Sequence, residues 1–326
     1  MNSKNKDLKN KYSGPAVGEA TYEQVKEQYR FYFNIVKRRY IWFIISLIFI
    51  VPGVISLFVQ GLNLGIDYTG GSLFNIKFEQ AVTQEKVTEA LDSVGLTGSV
   101  QLTDGNKQAI IRTVALEEEK RDSLMKALQG AGKFNLQNVE EDKVGPSIGA
   151  ELRKGALKAI VVASILILAY MSFRFRFAFA LSGLVALFHD ILIILGFFSI
   201  FQWQIDAAFI AAVLTVFGYS INDSVVVFDR IRENSRRLKK KDSYEDMVDK
   251  SVWQTMGRSI KTTATVVIAL LAIFILGGES TKVFALAMLI GVISGAYSSI
   301  FIASQLMVEI KKRFGGDNKR KSPAQA

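Results

Sequence analysis

The sequence predicts an α-helical polytopic membrane protein with six transmembrane helices and a small exported α+β domain. Three observations carry that prediction. Half of the 326 residues are hydrophobic and the mean hydropathy is +0.25, too apolar for an ordinary soluble chain of this length. Several apolar runs approach the ~20 residues that cross a ~30 Å hydrocarbon core. One long stretch between the first two runs instead alternates short strand and helix patterns.

The first span is expected over Tyr40–Gln60, after a cytoplasmic amino-terminal segment, residues 1–39. It reads as an anchor and not a cleaved signal, because a long polar segment precedes it, it contains Pro52-Gly53, and no small-residue cleavage site follows. The others follow at Gly155–Phe173, Phe177–Ile200, Ala207–Phe228, Ser259–Gly277 and Val283–Val308. Residues 155–308 thus hold spans two to six, and residues 309–326 form a basic tail.

Basic residues set the orientation. Lys37-Arg38-Arg39 precede the first span, and Arg174 and Arg176 separate spans two and three. Arg230, Arg232, Arg236, Arg237 and Lys239-Lys240-Lys241 separate spans four and five, and Lys311-Lys312-Arg313 follow span six. The opposite short loops, Phe201–Asp206 and Gly278–Lys282, contribute only Lys282. Both termini are therefore expected in the cytoplasm, and residues 61–154 outside it. The net charge of +10 is explained by these clusters, so no nucleic-acid partner is inferred. The chain has no cysteine, which excludes disulfides, thiol chemistry and thiolate metal sites.

The exported segment resolves into ordered elements. Ser72–Phe78 alternates Phe74, Ile76 and Phe78 on one face, a strand. Thr83 can cap a helix bearing Val87, Ala90, Leu91 and Val94, stopped by Gly95. Ser99–Thr103 is a short strand, and Asp104-Gly105 turns it into Gln108–Val114. Glu117–Gln129 is a second helix with Leu124 and Leu128 inward, and Phe134–Val139 a last strand. The order β-α-β-β-α-β is that of the ferredoxin-like split unit.

One charge interrupts the fourth span. Asp223 lies about four turns into it, where insertion costs about 2.5–3.5 kcal/mol and by default marks an ion pathway. Thr215, Tyr219, Asn222 and Asp223 recur at helical spacing, a polar stripe expected to face a bundle interior. Burial disfavours the charged form of a carboxylate and a nearby cation favours it; a group so balanced suits proton uptake and release. Gln254, Arg258 and Lys261 share one face at the start of span five. Antiparallel packing can bring Arg258 toward Asp223, with Lys261 a rival partner.

Blander readings stand beside these. Asp223 could be a structural polar group. Arg258 and Lys261 could reach for the interface with their long side chains. His189 and Asp190, inside span three, could be a second relay or packing residues. Asp206 and Asp229 sit at span ends, where a charge is cheap. Gly70-Gly71 shape the entry to the sheet; a phosphate loop is excluded because no Lys-Ser/Thr follows. Gly291, Gly295 and Ser299 form a close-packing face on span six, for a partner or for internal packing.

Several of these residues carry a resemblance. Gly65-Ile66-Asp67-Tyr68-Thr69-Gly70-Gly71 resembles the glycine-rich motif of the SecD/SecF family, with Tyr where Phe is usual. Val144-Gly145-Pro146-Ser147-Ile148-Gly149 is similar to the second family motif, and Leu187-Phe188-His189-Asp190 also matches. Gly218–Arg230, with Asn222-Asp223 and the exit Phe228-Asp229-Arg230-Ile231-Arg232-Glu233, resembles the SecF branch. Only the first ~35 residues and the tail fall outside the motif order. The resemblance implies a multi-pass protein of the bacterial plasma membrane. It implies pairing with a SecD-like subunit in an assembly similar to resistance-nodulation-division transporters. Beside the SecYEG channel, that assembly uses the proton motive force to help move unfolded secreted proteins, some relatives using sodium instead. It also implies that an essential Asp and Arg stand at Asp223 and Arg258.

Three function classes are weighed: an ion-driven export motor, half of a proton-coupled small-molecule exporter, and a passive scaffold of a membrane complex. A drug exporter needs a larger exported region with apolar pockets. A scaffold needs no carboxylate opposite an arginine in lipid. With one histidine, no cysteine and no nucleophile motif, no enzyme, cofactor or metal is expected.

Overall fold

The computed structural model describes residues 21–29, 31–239 and 242–314. Lys240, Lys241, the first twenty residues and residues 315–326, which hold most of the expected basic tail, lie outside the described residues. In chain order the elements are α1 (Tyr22–Gln28), α2 (Arg39–Val59), α3 (Ile66–Thr69), β1 (Gly71–Lys77), α4 (Gln84–Ser93), β2 (Gly98–Thr103), β3 (Gln108–Thr113), α5 (Glu118–Ala131) and β4 (Glu140–Val144). Then come α6 (Pro146–Arg174), α7 (Phe177–Ile200), α8 (Ala207–Arg236), α9 (Tyr244–Leu276), α10 (Glu279–Ser298) and α11 (Ser304–Phe314). A π-helical turn, Ser299–Ala303, joins α10 to α11. Two compact units divide the chain: residues 1–62, 162–203 and 211–326 in one, residues 63–161 and 204–210 in the other.

Among the described residues, six helices are long and apolar enough to cross a membrane: α2, α6, α7, α8, α9 and the joined stretch Thr281–Arg313. Most run past the expected spans. Hydropathy marks only the part that lipid must cover, whereas backbone hydrogen bonding carries a helix on through polar residues. In α9 the polar start Tyr244–Arg258 is helical, with Ser243 as a side-chain cap on Asp246.

In the helical unit, small residues set the packing. Gly53 of α2 and Gly196 of α7 meet backbone to backbone; a Cβ on Gly53 would lie 2.7 Å from the Gly196 Cα. A Cβ on Gly291 of α10 would lie 2.3 Å from a Val216 methyl, and one on Gly295 would lie 3.1 Å from the Ser220 Cβ. The close-packing face of the last span is thus turned inward onto α8. The expectation left that face either to a partner or to internal packing.

The sheet unit is a single antiparallel sheet in the order β2-β3-β1-β4. Its core gathers Phe74 and Ile76 of β1, Val87 and Leu91 of α4, Ile111 of β3, and Leu124 and Leu128 of α5. The Thr83 hydroxyl caps α4 by accepting from the Lys86 amide, and Gly95 stops it at φ +69°. Asp104 and Gly105 both take positive φ in the β2–β3 turn.

One strand differs from expectation. Phe134–Val139 is not a strand: Phe134 makes an isolated bridge to Phe78, Asn135 caps a short 3-10 turn, and β4 follows at Glu140–Val144. Phe134 and Val139 pack into the core without forming a ladder, while Leu136 is exposed. The true edge strand is charged, as edges facing solvent tend to be, so it has no hydrophobic alternation to betray it.

Candidate functional site

Asp223 is buried within α8, 8% exposed. Its Oδ1 accepts from the Ser259 hydroxyl of α9 at 2.7 Å. Its Oδ2 is buried with no hydrogen-bond partner. Arg258 is exposed on α9, near enough to act on the carboxylate by charge, while Ser259 makes the direct contact. Lys261 is exposed one turn on. The expected stripe therefore splits: Thr215 and Asn222 are exposed, Tyr219 is half-buried and donates to Thr263 at 3.2 Å, and Asp223 turns inward. Asp223 sits eight residues after Thr215, enough at 3.6 residues per turn to rotate it off that face. Gln254, grouped with Arg258 by spacing, accepts instead from Arg230 at 2.8 Å and Asn234 at 2.9 Å. Asp229 at the end of the expected span pairs with Arg174 at 3.1 Å and Arg232 at 2.7 Å.

His189 and Asp190 lie in a second buried network. Asp190 is fully buried. Its Oδ1 accepts from Ser294 at 2.7 Å and lies 3.0 Å from His189 Nδ1; its Oδ2 accepts from Ser220 at 2.7 Å and Ser298 at 2.8 Å. The His189 Nε2 lies 2.9 Å from the Ser46 hydroxyl of α2, and its ring stacks on Tyr297. Four helices meet at this pair.

The glycine-rich motif is a joint inside the sheet unit. Gly65 donates to the Ile205 carbonyl at 2.8 Å, and a Cβ there would strike Gln204 and Ile205. Asp67 accepts from the Ala207 amide at 2.7 Å, so its carboxylate caps the first turn of α8, where a negative charge is favoured. Asp206 caps the same turn through Phe209 at 2.8 Å. Burial, with the Asp67 charge adding to it, holds the Asp206 carboxyl above the ordinary range. Burial pushes the Tyr68 phenol, which donates to the Asp206 carbonyl, up to about 12. Gly70, at φ +75°, and Gly71, at φ +138°, turn the chain from α3 into β1. A Cβ on Gly70 would lie 2.8 Å from the Pro146 Cα, and one on Gly149 would lie 2.9 Å from the Gly70 nitrogen. The two glycine motifs, far apart in sequence, are one contact.

Comparison with known proteins now bears on these motifs. Residues 123–313 match the description "Protein export membrane protein SecD/SecF, C-terminal", and residues 55–82 match the SecD/SecF GG motif. The protein translocase subunit SecF of Sebaldella termitidis is 39% identical over 86% of this chain and 92% of its own length. That of Thermobaculum terrenum is 41% identical over 84% of this chain and 93% of its own. The chain belongs to the SecF branch of the SecD/SecF family. Its role is in Sec protein export, as a multi-pass transport component. Among solved structures, SecDF of Thermus thermophilus, described as a translocon-associated membrane protein, superposes with a TM-score of 0.80 at 34% identity, over 87% of this chain. A super-membrane-facing form of SecDF gives a TM-score of 0.65 at 33% identity. This chain spans about two fifths of the length of each SecDF chain, 39% and 40%.

Sequence reasoning missed three features of this SecF-family chain. Ser259 was hidden because a lone hydroxyl in a helix has no pattern; its only signal is its place beside Arg258. The serines around Asp190 are scattered over two helices, α8 and α10. The third is an amino-terminal strap outside both matched regions. Asp249, fully buried in α9, accepts from the Ile35 amide at 2.7 Å, the Val36 amide at 3.2 Å, and the Tyr22 and Tyr32 hydroxyls. Tyr29 donates to the Trp253 carbonyl at 2.6 Å, and the Trp253 indole donates to the Phe33 carbonyl at 3.1 Å. Burial and the neighbouring Asp249 push the Tyr32 phenol upward. Arg39 then pairs with Glu245 at 3.0 Å and Glu309 at 3.3 Å.

Proposed function

We propose that this chain pairs with a SecD-like subunit beside the SecYEG channel and uses the proton motive force to help draw unfolded secreted proteins across the bacterial plasma membrane. Asp223 is the group that takes and releases the proton, and Arg258 is its charge partner. The observation that carries the reading is the half-satisfied carboxylate: buried in a membrane helix, with one donor on Oδ1 and none on Oδ2. A proton added to Oδ2 disrupts no existing hydrogen bond. Moving one charge through ~100 mV yields ~2.3 kcal/mol, enough to bias a two-state equilibrium more than tenfold.

The partner follows from the outer polar face. Thr215 and Asn222 on α8, with Arg258, Lys261, Thr262 and Thr265 on α9, are exposed within membrane helices. Lipid cannot solvate such a face. A related six-helix subunit would cover it, and SecDF, in which SecD and SecF are named together, supports that choice. The basic clusters argue for cytoplasmic termini, with the sheet unit exported. The strand order supports a ferredoxin-like assignment for that unit.

The test is export of a secreted reporter in cells, with membrane levels of each variant checked by immunoblot. Asp223→Asn should insert and assemble yet lose gradient-dependent export, and Asp223→Glu should keep part of it. Arg258→Lys should be impaired, because an ammonium lacks the planar fork of a guanidinium. Normal export by Asp223→Asn at normal level would discard the proton reading.

A further inference from the structure

Among the described residues, Asp190 and Asp223 are the buried carboxylates inside the expected spans, and their surroundings are opposite. Asp223 has one donor and an empty oxygen. Asp190 has every acceptor position filled. A carboxylate offers about four lone-pair sites. At Asp190 they face three serine hydroxyls, at 2.7, 2.7 and 2.8 Å, and the His189 ring nitrogen at 3.0 Å. A proton on either oxygen of Asp190 would take the place of one of these contacts. Adding it would break a hydrogen bond to a fully buried carboxylate, which costs more than breaking one in water.

The donors also tie Asp190 to the helix that carries Asp223. Ser220 is on α8, three residues before Asp223; Ser294 and Ser298 are on α10. Ser299, the next residue, opens the π-helical turn. Its hydroxyl pairs with Ser224, the residue after Asp223, at 2.9 Å and reaches the Ser220 carbonyl at 3.4 Å. Consecutive serines thus serve the two carboxylates' surroundings, Ser298 on Asp190 and Ser299 beside Asp223. Both serines are fully buried where α10 ends and the π turn opens, and such turns recur at functional sites. The close approach of Gly295 to Ser220 gives α10 the room to do so. The titratable groups near Asp190 are His189 on its own helix and, stacked on His189, Tyr297 of α10.

We propose that Asp190 is the positioning residue of the helical unit: an acceptor-only carboxylate that holds α8 and α10 in register around Asp223 and is not a second proton carrier. This rests on the proton-coupling reading of Asp223. His189 orients Asp190 from below and fastens α7 to α2 through Ser46.

The experiment uses the full chain purified with its membrane partner. Infrared difference spectra are recorded as the pH is lowered, alongside export in cells. A protonated-carboxyl band should appear on acidification, vanish in Asp223→Asn and persist in Asp190→Asn. Asp190→Asn replaces an acceptor with an amide whose N–H groups confront serine donors. Its export should fall about tenfold or more at normal membrane level, the scale of leaving buried donors unsatisfied. Should Asp190→Asn not assemble, Ser294→Ala/Ser298→Ala keeps the carboxylate and removes two donors. That variant should gain a second protonated-carboxyl band, absent again when Asp190→Asn is added. Loss of the wild-type band in Asp190→Asn, normal export by it, or a wild-type spectrum from the double serine variant each overturns the proposal. Normal export by Asp223→Asn would instead discard the proton reading, because the spectra report on Asp190 without reference to transport.

Discussion

Gly70 and Gly149 are in backbone contact: a Cβ on Gly149 would sit 2.9 Å from the Gly70 nitrogen and 3.2 Å from the Tyr68 carbonyl carbon. No flexible side chain lies between them to yield. Gly149→Ala must therefore shift the main chain, a change of the overpacking kind that costs about 1–3 kcal/mol. Gly70→Ala adds the strain of φ +75°. Gly145→Ala meets nothing within 4 Å and should be tolerated. Thermal unfolding of the three variants in detergent checks the order; an equal loss in all three would refute the contact.

Asp206 predicts a pH slope. Its folded value is raised by burial, so the folded chain binds the proton more tightly than the unfolded one. The stability this adds is complete below the ordinary carboxylate value and lost as pH rises through the raised folded value. Above about pH 4, through the raised folded value, Asp206→Asn should flatten the fall in melting temperature with rising pH. Asn remains a good helix cap, so the cap on Phe209 is kept. A slope identical to wild type would show that Asp206 does not contribute.

Asp249 holds the amino-terminal strap. Asp249→Ala leaves the buried Ile35 and Val36 amides without their acceptor, about 1–3 kcal/mol for each group left unpaired. Asp249→Asn retains one oxygen and should lose less. Limited proteolysis reads this directly: residues 31–37 should become cleavable in Asp249→Ala, less so in Asp249→Asn. Full protection in both would mean that the aromatic contacts with Trp253 hold the strap alone.

The sheet unit should fold when cut free at Gly71–Val144, because Phe74, Ile76, Val87, Leu91, Ile111, Leu124 and Leu128 all lie inside those bounds. A soluble fragment should unfold cooperatively and show mixed α/β circular dichroism. Cutting at Glu141 instead removes most of β4 and should lower the midpoint. A fragment without a cooperative transition would mean that the core is completed from elsewhere.

The six membrane helices were legible because hydropathy counts what lipid must cover, and the first three strands because alternate apolar residues of each pack against the core, fully in β1 and β3 and partly in β2. The fourth strand was not, since Glu140–Val144 carries its information in the partners of β1 and not in its own pattern. At the site, Asp223 announced itself by its cost. Its direct partner did not: spacing selects a helix face, and Arg258 and Ser259 differ by 100° on that face, a difference only packing decides. The role of Gly291 and Gly295 was ambiguous for the same reason, until Val216 and Ser220 were found against them.

The strap has a consequence for how the chain is made. Tyr32 meets Asp249 across 217 residues of sequence. A growing chain emerges amino end first, at about 5–20 residues per second. The tyrosines at 22, 29 and 32 are therefore born long before their seat. They stay without it through the insertion of four helices and the folding of the sheet unit, until the fifth membrane helix has begun to form. Closing that strap is a late event of assembly, a clasp that fastens only over a nearly finished bundle.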